Sequence, residues 1–462
     1  MPDEDVDIVV IGMGPGGEDV AARLAHAGLD VVGVEARLVG GECPYYACVP
    51  TKMMVRAADA LAEAGRVNTL AGSAEVWSDF TPVATRIRDE ATTNWDDQVA
   101  VERFENSGGR FVRGRARITA PGEVTVSTAD GDRVYGAARG IVLNPGTEPA
   151  VPPIEGLTDT PYWTNRDAVA ADRVPESVIV LGSGPVGCEF AQVFARFGAE
   201  VTVVEALPRL MPGEEPETSE LMAEVFAGEK IAVRTGAAAT RVGHTSGRFT
   251  LELDGGSTVS AERLLVATGR RTDLAALGVG KVGIDESARA IPVNERMRAA
   301  HGVWAIGDAV GKGAFTHVSV YQAGIAAAAI LAENGLGDDT EPADYRAVPR
   351  VTFTDPEVGA VGLTEAQARE QGLSVRTGIA QVPSTARGWI HQAGNEGFVK
   401  LVEDADRGVL VGATAAGPSG GEVLGALAVA VHGEVPIARL RGMIYAYPTF
   451  HRGIEDALRG LG

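Results

Sequence analysis

The sequence is short of cysteine and of positive charge, and it has no long apolar run. Three cysteines in 462 residues are too few for a disulfide framework. No stretch is apolar and long enough to span a bilayer. The first residues, MPDEDVDIVVIG, are acidic and run straight into a strand pattern, where a secretory signal needs a basic start and a longer apolar segment. Lys and Arg total 41 against 62 for Asp and Glu, a net charge of −21. That balance opposes nucleic acid and anionic membrane as partners and favours solubility. The expectation is a cytoplasmic protein with neither a nucleic-acid nor a membrane partner, in a compartment where structural disulfides are rare.

What is present is ordinary in bulk and specific in detail. A hydrophobic content of 45% and a charged content of 22% suit a globular protein, and the length predicts two to four domains. The 59 glycines follow no period and read as turns and phosphate loops. DIVVIGMGPGGEDVAARLAHAGLDVVGVEA reads as strand, glycine turn, helix, strand. Gly12, Gly14 and Gly17 form G-x-G-x-x-G. The first allows the sharp turn, the second lets a pyrophosphate approach, and the third lets helix and strand pack. The helix N-terminus then faces the phosphates, and Glu35 ends the second strand at the spacing of a carboxylate that binds a ribose hydroxyl. The pattern recurs in SVIVLGSGPVGCEFAQVFARFGAEVTVVEA, with Gly182, Gly184, Gly187 and Glu205. Two such units imply two dinucleotides, or one and a degenerate copy. Glu205 suits a free 2′-hydroxyl and repels a 2′-phosphate, which favours NADH over NADPH. Arg209 nearby softens that preference. Cys188, just inside the second helix, reads as a buried small apolar residue rather than a reactive thiol.

GGECPYYACVPTK, residues 40 to 52, holds the other two cysteines, Cys43 and Cys48. A close pair in a cytosolic chain is more often catalytic or metal-binding than structural. Zinc fails on count, because no Cys or His cluster supplies two further ligands. On a regular helix a five-residue separation sets side chains roughly 140° apart, so joining these two requires a distorted first turn. Tyr45 and Tyr46 between them either wall a substrate pocket or pack in the core.

With two dinucleotide loops flanking this pair, the chain resembles the FAD-dependent pyridine nucleotide–disulfide oxidoreductases, the family of dihydrolipoyl dehydrogenase, glutathione reductase and mercuric reductase. Gly40 to Lys52 matches the family's redox motif, G-G-x-C-x4-C-x-P-[ST]-K. LLVATGRRTD (264–273), VWAIGDAV (303–310), AFTHVSVYQAG and PRVTFTDPEVGAVGLTEAQA extend the likeness nearly end to end. In IVLNPGTEPAVPPIEG, Asn144 and Pro145 replace the family's A-T before Gly146. The resemblance implies an α/β fold of two Rossmann-like dinucleotide-binding domains plus an α+β C-terminal dimerisation domain. Its topology implies an FAD-binding domain over 1–150 and 276–345, an NAD-binding domain over 151–275, and an interface domain over 346–462 in a homodimer. It assigns cofactor contacts to Gly12, Gly14, Gly17, Glu35, Gly41, Glu42, Ala116, Gly146, Gly307, Asp308, Phe315, Thr316 and His317. Those for the nicotinamide nucleotide are Gly182, Gly184, Gly187, Glu205 and Gly269. By resemblance Cys43 and Cys48 are a redox-active disulfide, with Cys48 against the flavin and Cys43 exchanging with substrate. Lys52 is the family lysine beside the flavin and Glu189 its partner, which keeps it charged.

The chain leaves the family pattern near its C-terminus. Where the disulfide reductases carry H-P-T-x-[ST]-E, this sequence reads YAYPTFHRGIEDAL. Tyr447 stands in the place of the histidine base and Arg452 in that of the orienting glutamate. Pro448 and Thr449 hold the register. A phenol, with an ordinary pKa of about 10, is a poor base at pH 7, and losing a positioned acid–base costs about 10²–10⁴-fold. His451 is open to two readings, a substitute base or an interface histidine. Arg452 would favour a nearby thiolate without shuttling a proton. Mercuric reductases are similar in using a tyrosine near that place, but they also carry a C-terminal cysteine pair, and this sequence ends DALRGLG. The reading is an FAD-dependent NADH oxidoreductase whose small-molecule electron acceptor is not an ordinary dithiol: a quinone, a small electrophile or a metal–thiolate. The alternatives are a dihydrolipoyl dehydrogenase with a substitute base and a flavin redox sensor without turnover.

Overall fold

The computed structural model describes residues 2–338 and 341–461. The chain divides into two compact units. Among the described residues, one comprises 2–50, 85–150, 270–338 and 341–344, the other 51–84, 151–269 and 345–461.

The first unit is built on a parallel sheet. Its strands run in the order Val303–Ala305, Gly131–Leu143, Glu4–Ile11, Val31–Glu35, Arg110–Arg113. Ile8 pairs with Val31, and Val9 pairs with Ile141. The β-branched runs DIVVI and VVGV are buried on both faces, as parallel strands between layers require. A hairpin, Arg115–Ala120 and Glu123–Thr128, extends Gly131–Leu143 antiparallel. The helix Pro15–His26 opens with Pro at its first turn, buries Val20, Ala21 and Leu24, and carries Arg23 and His26 in its last turn. The 18-residue helix Thr316–Glu333 packs beside it.

The second unit holds a parallel sheet and two antiparallel ones. The parallel sheet runs Ala232–Arg234, Glu200–Val204, Ser177–Leu181, Arg263–Val266, and its first βα turn leads into the helix Pro185–Arg196. Three antiparallel strands between Ala239 and Ala261 cover Phe249 and Leu251, both fully buried. The C-terminal sheet is five antiparallel strands in the order Pro349–Thr352, Glu357–Gly362, Val409–Gly417, Phe398–Asp404, Val375–Gln381. Helices Gly420–His432 and Gly453–Arg459 close its core around Leu401, Leu427 and Leu458. The α/β class, with two Rossmann-type units and an α+β C-terminal part, is as expected. Among the described residues no helix is long and apolar enough to cross a membrane.

Candidate active site

The first glycine loop joins the strand Glu4–Ile11 to its helix. Gly12 has φ +92, and a Cβ there would meet the Asn144 main-chain oxygen at 2.1 Å, so only glycine fits the turn. Gly14 is the extended N-cap of Pro15–His26 and has no side-chain cap. The first-turn N–H groups therefore face outward without a side-chain acceptor, as an anion site requires. A Cβ on Gly17 would strike the Gly12 carbonyl at 2.0 Å, and one on Gly41 would press on Gly14 at 2.9 Å. Glu35 ends its strand and accepts from the Met13 and Arg37 amides at 2.9 and 2.8 Å.

Further residues of this unit are tied together by polar bonds. Asp308, in the short helix Gly307–Val310, accepts from Thr147 Oγ1 at 2.8 Å. Arg270 holds Thr147 through its hydroxyl at 2.7 Å and its carbonyl at 2.6 Å, and lies 3.5 Å from Glu42. Gly146 accepts from the Thr272 hydroxyl at 2.8 Å, and the Gly307 amide donates to Gln322 at 2.6 Å. Asn144 is buried. It donates to the Gly12 carbonyl at 3.1 Å and accepts from Ser319 Oγ at 3.3 Å. Ala116 is buried with its methyl in the hydrophobic core, which leaves its main chain as what it offers a ligand.

Around the cysteines the helix is interrupted. A four-residue helix, Glu42–Tyr45, carries Cys43. Tyr46 and Ala47 break it, and Cys48 opens the long helix Cys48–Leu70. The distortion expected from the spacing is this break. Cys43 is half-buried and Cys48 exposed. Cys48 Sγ lies 3.4 Å from Thr316 Oγ1, at the first turn of Thr316–Glu333, where a helix N-terminus favours negative charge. Phe315 and His317 stack at 5.2 Å. The two tyrosines part company. Tyr45 is buried, and burial, with Asp97 and Glu18 adding, pushes its phenol up. Tyr46 is half-buried and stacks on Trp95 at 6.4 Å.

The second unit repeats the loop. Gly184 caps Pro185–Arg196 at φ −69, ψ −178, against −68 and −179 at Gly14. Gly182 and Gly187 form the same turn, closed by contact between Gly187 and the Gly182 carbonyl. Gly269 lies exposed just after the strand Arg263–Val266. Glu205, directly after the strand Glu200–Val204, accepts from the Ser183 amide and hydroxyl at 2.8 and 2.9 Å. Arg209 is held close to its own stretch of chain: its guanidinium donates to Ser219 Oγ and to the carbonyls of Pro212 and Glu214 at 2.7–2.8 Å. Cys188 is fully buried and donates to the Ser183 carbonyl at 3.2 Å, and burial pushes its thiol well up.

Lys52 and Glu189 meet at 2.6 Å, with the Glu189 side chain 7% exposed. The other carboxylate oxygen of Glu189 accepts from the Phe353 amide at 2.8 Å, and the Phe353 ring lies 4.7 Å from the ammonium. Tyr447 is exposed. The Arg452 guanidinium lies over its ring at 5.3 Å and pairs with Glu455 at 3.0 Å. The ring of His451 is 6.3 Å from that of Tyr445.

Residues 6–323 match the family model for pyridine nucleotide-disulphide oxidoreductases, and 348–458 match that family's dimerisation domain. The chain belongs to this family. A mercuric reductase of Shewanella putrefaciens is 31% identical, over 97% of this chain and 80% of the relative. A dihydrolipoyl dehydrogenase of Thermus scotoductus is 31% identical, over 98% of this chain and 97% of the relative. The Cu(II) complex of the HOCl-induced flavoprotein disulfide reductase RclA from Escherichia coli superposes with a TM-score of 0.85 at 25% identity, covering 98% and 99% of the two chains. The chain is thus an oxidoreductase of the disulfide reductase family, whose members use FAD and a pyridine nucleotide.

The residues present fit both groups. Each glycine loop ends in a helix N-terminus without a side-chain cap, and each has a strand-end carboxylate held by loop amides. Reading along the sequence missed Thr147, Arg270, Ser319 and Phe353. Thr147 adjoins a flagged glycine, but the partners of all four lie more than 120 residues away, and chain order carries no signal of that.

Proposed function

We propose that the chain is an FAD-dependent NADH oxidoreductase with Cys43 and Cys48 as its redox pair and an acceptor other than an ordinary dithiol. FAD, when bound, supplies two-electron transfer between a nicotinamide hydride and the cysteine pair. The residues for holding it are Gly12, Gly14, Gly17, Glu35, Gly41, Glu42, Ala116, Gly146, Gly307, Asp308, Phe315, Thr316 and His317. Those for the nicotinamide nucleotide are Gly182, Gly184, Gly187, Glu205 and Gly269. The carboxylate of Glu205 and the internal use of Arg209 both favour NADH.

Cys48 is the thiolate holder, supported by its place at a helix N-terminus. Cys43 exchanges with the acceptor. Lys52 keeps a positive charge at the flavin, and Glu189 keeps that charge in place. The observation that carries the choice of acceptor is that complete cofactor loops coexist with Tyr447 and Arg452 at the two positions of the family's acid–base pair. A thiol leaving group needs a proton donor, whereas a quinone, a small electrophile or a metal–thiolate does not need one at that position. The Cu(II) bound by the similar RclA structure supports keeping metal–thiolates in that set. The domain at 348–458 supports a homodimer, in which this C-terminal stretch completes the partner's site.

The test is an anaerobic titration of the purified protein with NADH, followed by visible absorbance and then by acceptor assays. A broad long-wavelength band at two electrons, with turnover on quinone or metal–thiolate and little on lipoamide, is the expected result. Bleaching without that band removes the cysteines from the electron path. Fast lipoamide turnover abolished by His451→Ala would establish the substitute-base alternative instead.

A further inference from the structure

The Lys52–Glu189 pair is the top of a ladder of polar bonds inside the second unit. Lys52, Asp59 and Arg66 are seven residues apart on one helix, and a seven-residue step turns only about 20°, so the three share a stripe. Glu189, Gln192 and Arg196 share a face of Pro185–Arg196 at i, i+3 and i+7. The segment 353–355 runs between these rows. In the first rung Glu189 accepts from Lys52 at 2.6 Å and from the Phe353 amide at 2.8 Å. In the second, the Gln192 side chain and the Asp355 main chain bond both ways, at 2.7 and 2.8 Å. In the third, Arg196, 7% exposed, reaches Asp59 at 2.6 Å, Glu229 at 2.7 Å and Asp355 at 2.8 Å. Arg66 adds a second cation to Asp355 at 2.6 Å.

We propose that Arg196 and Asp355 are positioning residues for the Lys52–Glu189 pair. They anchor the segment that fixes Glu189, and through it the Lys52 ammonium. The inference rests on the reading that Lys52 faces the bound flavin. Its physical basis is that both Glu189 oxygens are engaged, so the carboxylate sits where the Phe353 amide sets it. Two residues on, Asp355 is held at its amide, its carbonyl and its carboxylate. Releasing that anchor lets Glu189 draw Lys52 from its place.

The third rung also responds to protons. The groups facing Asp59 are Arg196, Asp355, Glu357 and, on its own helix, Arg66. Burial raises its carboxyl to about 6; Arg196 opposes the shift, and Asp355 and Glu357 add to it. A protonated Asp59 holds Arg196 less firmly.

The experiment measures the two-electron midpoint potential of the FAD holoenzyme in Lys52→Met, Arg196→Gln, Asp355→Asn and the double variant Lys52→Met/Arg196→Gln. Loss of positive charge beside the flavin disfavours its anionic reduced form. Arg196→Gln and Asp355→Asn should therefore lower the reduced-to-oxidised ratio at fixed poise by about tenfold, about 30 mV, and the double variant should match Lys52→Met. Asp59→Asn, at the solvent end of the rung, serves if Arg196→Gln does not fold. It should lower the potential above about pH 6 and match wild type below. A Lys52→Met potential equal to wild type would sink the reading of Lys52 and this inference with it. A shifted Lys52→Met beside unshifted Arg196 and Asp355 variants, or effects that add in full in the double variant, would overturn the positioning role alone.

Discussion

Restoring a base at position 447 should restore dithiol chemistry. Tyr447 is 68% exposed, so a histidine there displaces no core packing. A positioned acid–base is worth about 10²–10⁴-fold. The orienting partner is harder to restore, and the structure shows why. Arg452 lies over the Tyr447 ring at 5.3 Å and pairs with Glu455 at 3.0 Å. Arg452→Glu alone would set two carboxylates near each other, a repulsion of about 1–4 kcal/mol between the limits of water and a partly buried site. Glu455→Gln removes it. Tyr447→His should raise NADH-dependent lipoamide reduction about 10²-fold over wild type. Tyr447→His/Arg452→Glu/Glu455→Gln should add about another tenfold. The assay is anaerobic loss of NADH absorbance with lipoamide as acceptor, alongside a quinone whose rate should stay within threefold across the series. A wild-type lipoamide rate equal to that of Tyr447→His would refute the reasoning, because the missing base would then not be what limits a dithiol acceptor.

Three other outcomes follow from the structure. Lys400 is 5% exposed among Glu217, Glu215 and Glu365 at 2.7–3.0 Å; burial alone would push its ammonium down, and these hydrogen bonds carry it above the ordinary value. The contribution of Lys400 is therefore complete below its ordinary pKa of about 10 and is lost only as pH rises on through the higher folded-state value. Lys400→Met should cost about 3–5 kcal/mol at pH 7, and less at pH 5, because Glu365 loses the Lys400 hydrogen bond that helps hold its carboxyl low. Urea unfolding at both pH values checks this, and a loss under about 1 kcal/mol at pH 7 would contradict it. Glu205→Gln replaces the carboxylate that accepts from Ser183 and Leu207 and that would meet a ribose hydroxyl. A charged hydrogen bond is worth about 1.5–3 kcal/mol, so the NADH:NADPH ratio of kcat/KM should fall at least tenfold; a ratio within twofold of wild type would remove Glu205 from nucleotide choice. The native protein reduced by NADH should take two alkyl adducts at pH 8, at Cys43 and Cys48, because burial holds the Cys188 thiol protonated. A third adduct under native conditions would show that helix Pro185–Arg196 opens.

Local chemistry was legible in the sequence, and long-range chemistry was not. Each glycine loop is written in six residues, and the two copies come out with N-cap angles one degree apart. Glu35 and Glu205 even accept from equivalent amides, those of Met13 and Ser183. Such features depend on backbone turns and strand ends, which neighbouring residues dictate. Arg209 shows the limit of that logic. Proximity to Glu205 in the sequence suggested a softened preference for NADH, yet the loop 210–215 folds back and its carbonyls take the guanidinium. A cation beside uncapped carbonyls satisfies them at no cost of a bound ligand, and no spacing rule reports where a loop's carbonyls will point.

Asn144 carries the same point further. The sequence marked it as a break in the pattern before Gly146. In the fold its amide spans the Gly12 carbonyl and the Ser319 hydroxyl, linking three segments 132 and 175 residues apart. A Cβ on Gly307 would come within 2.6 Å of its side-chain oxygen, so the residue also fixes how close the strand end Leu143 and the turn at Gly307 can stand. A buried amide has both donors and an acceptor to satisfy, and here it satisfies two of them on the glycine loop and on helix Thr316–Glu333. That helix begins at the threonine facing Cys48. Asn144 therefore ties the first glycine loop to the helix whose first turn meets Cys48, so what reads in the sequence as a break in the pattern is in the structure a bond between distant segments.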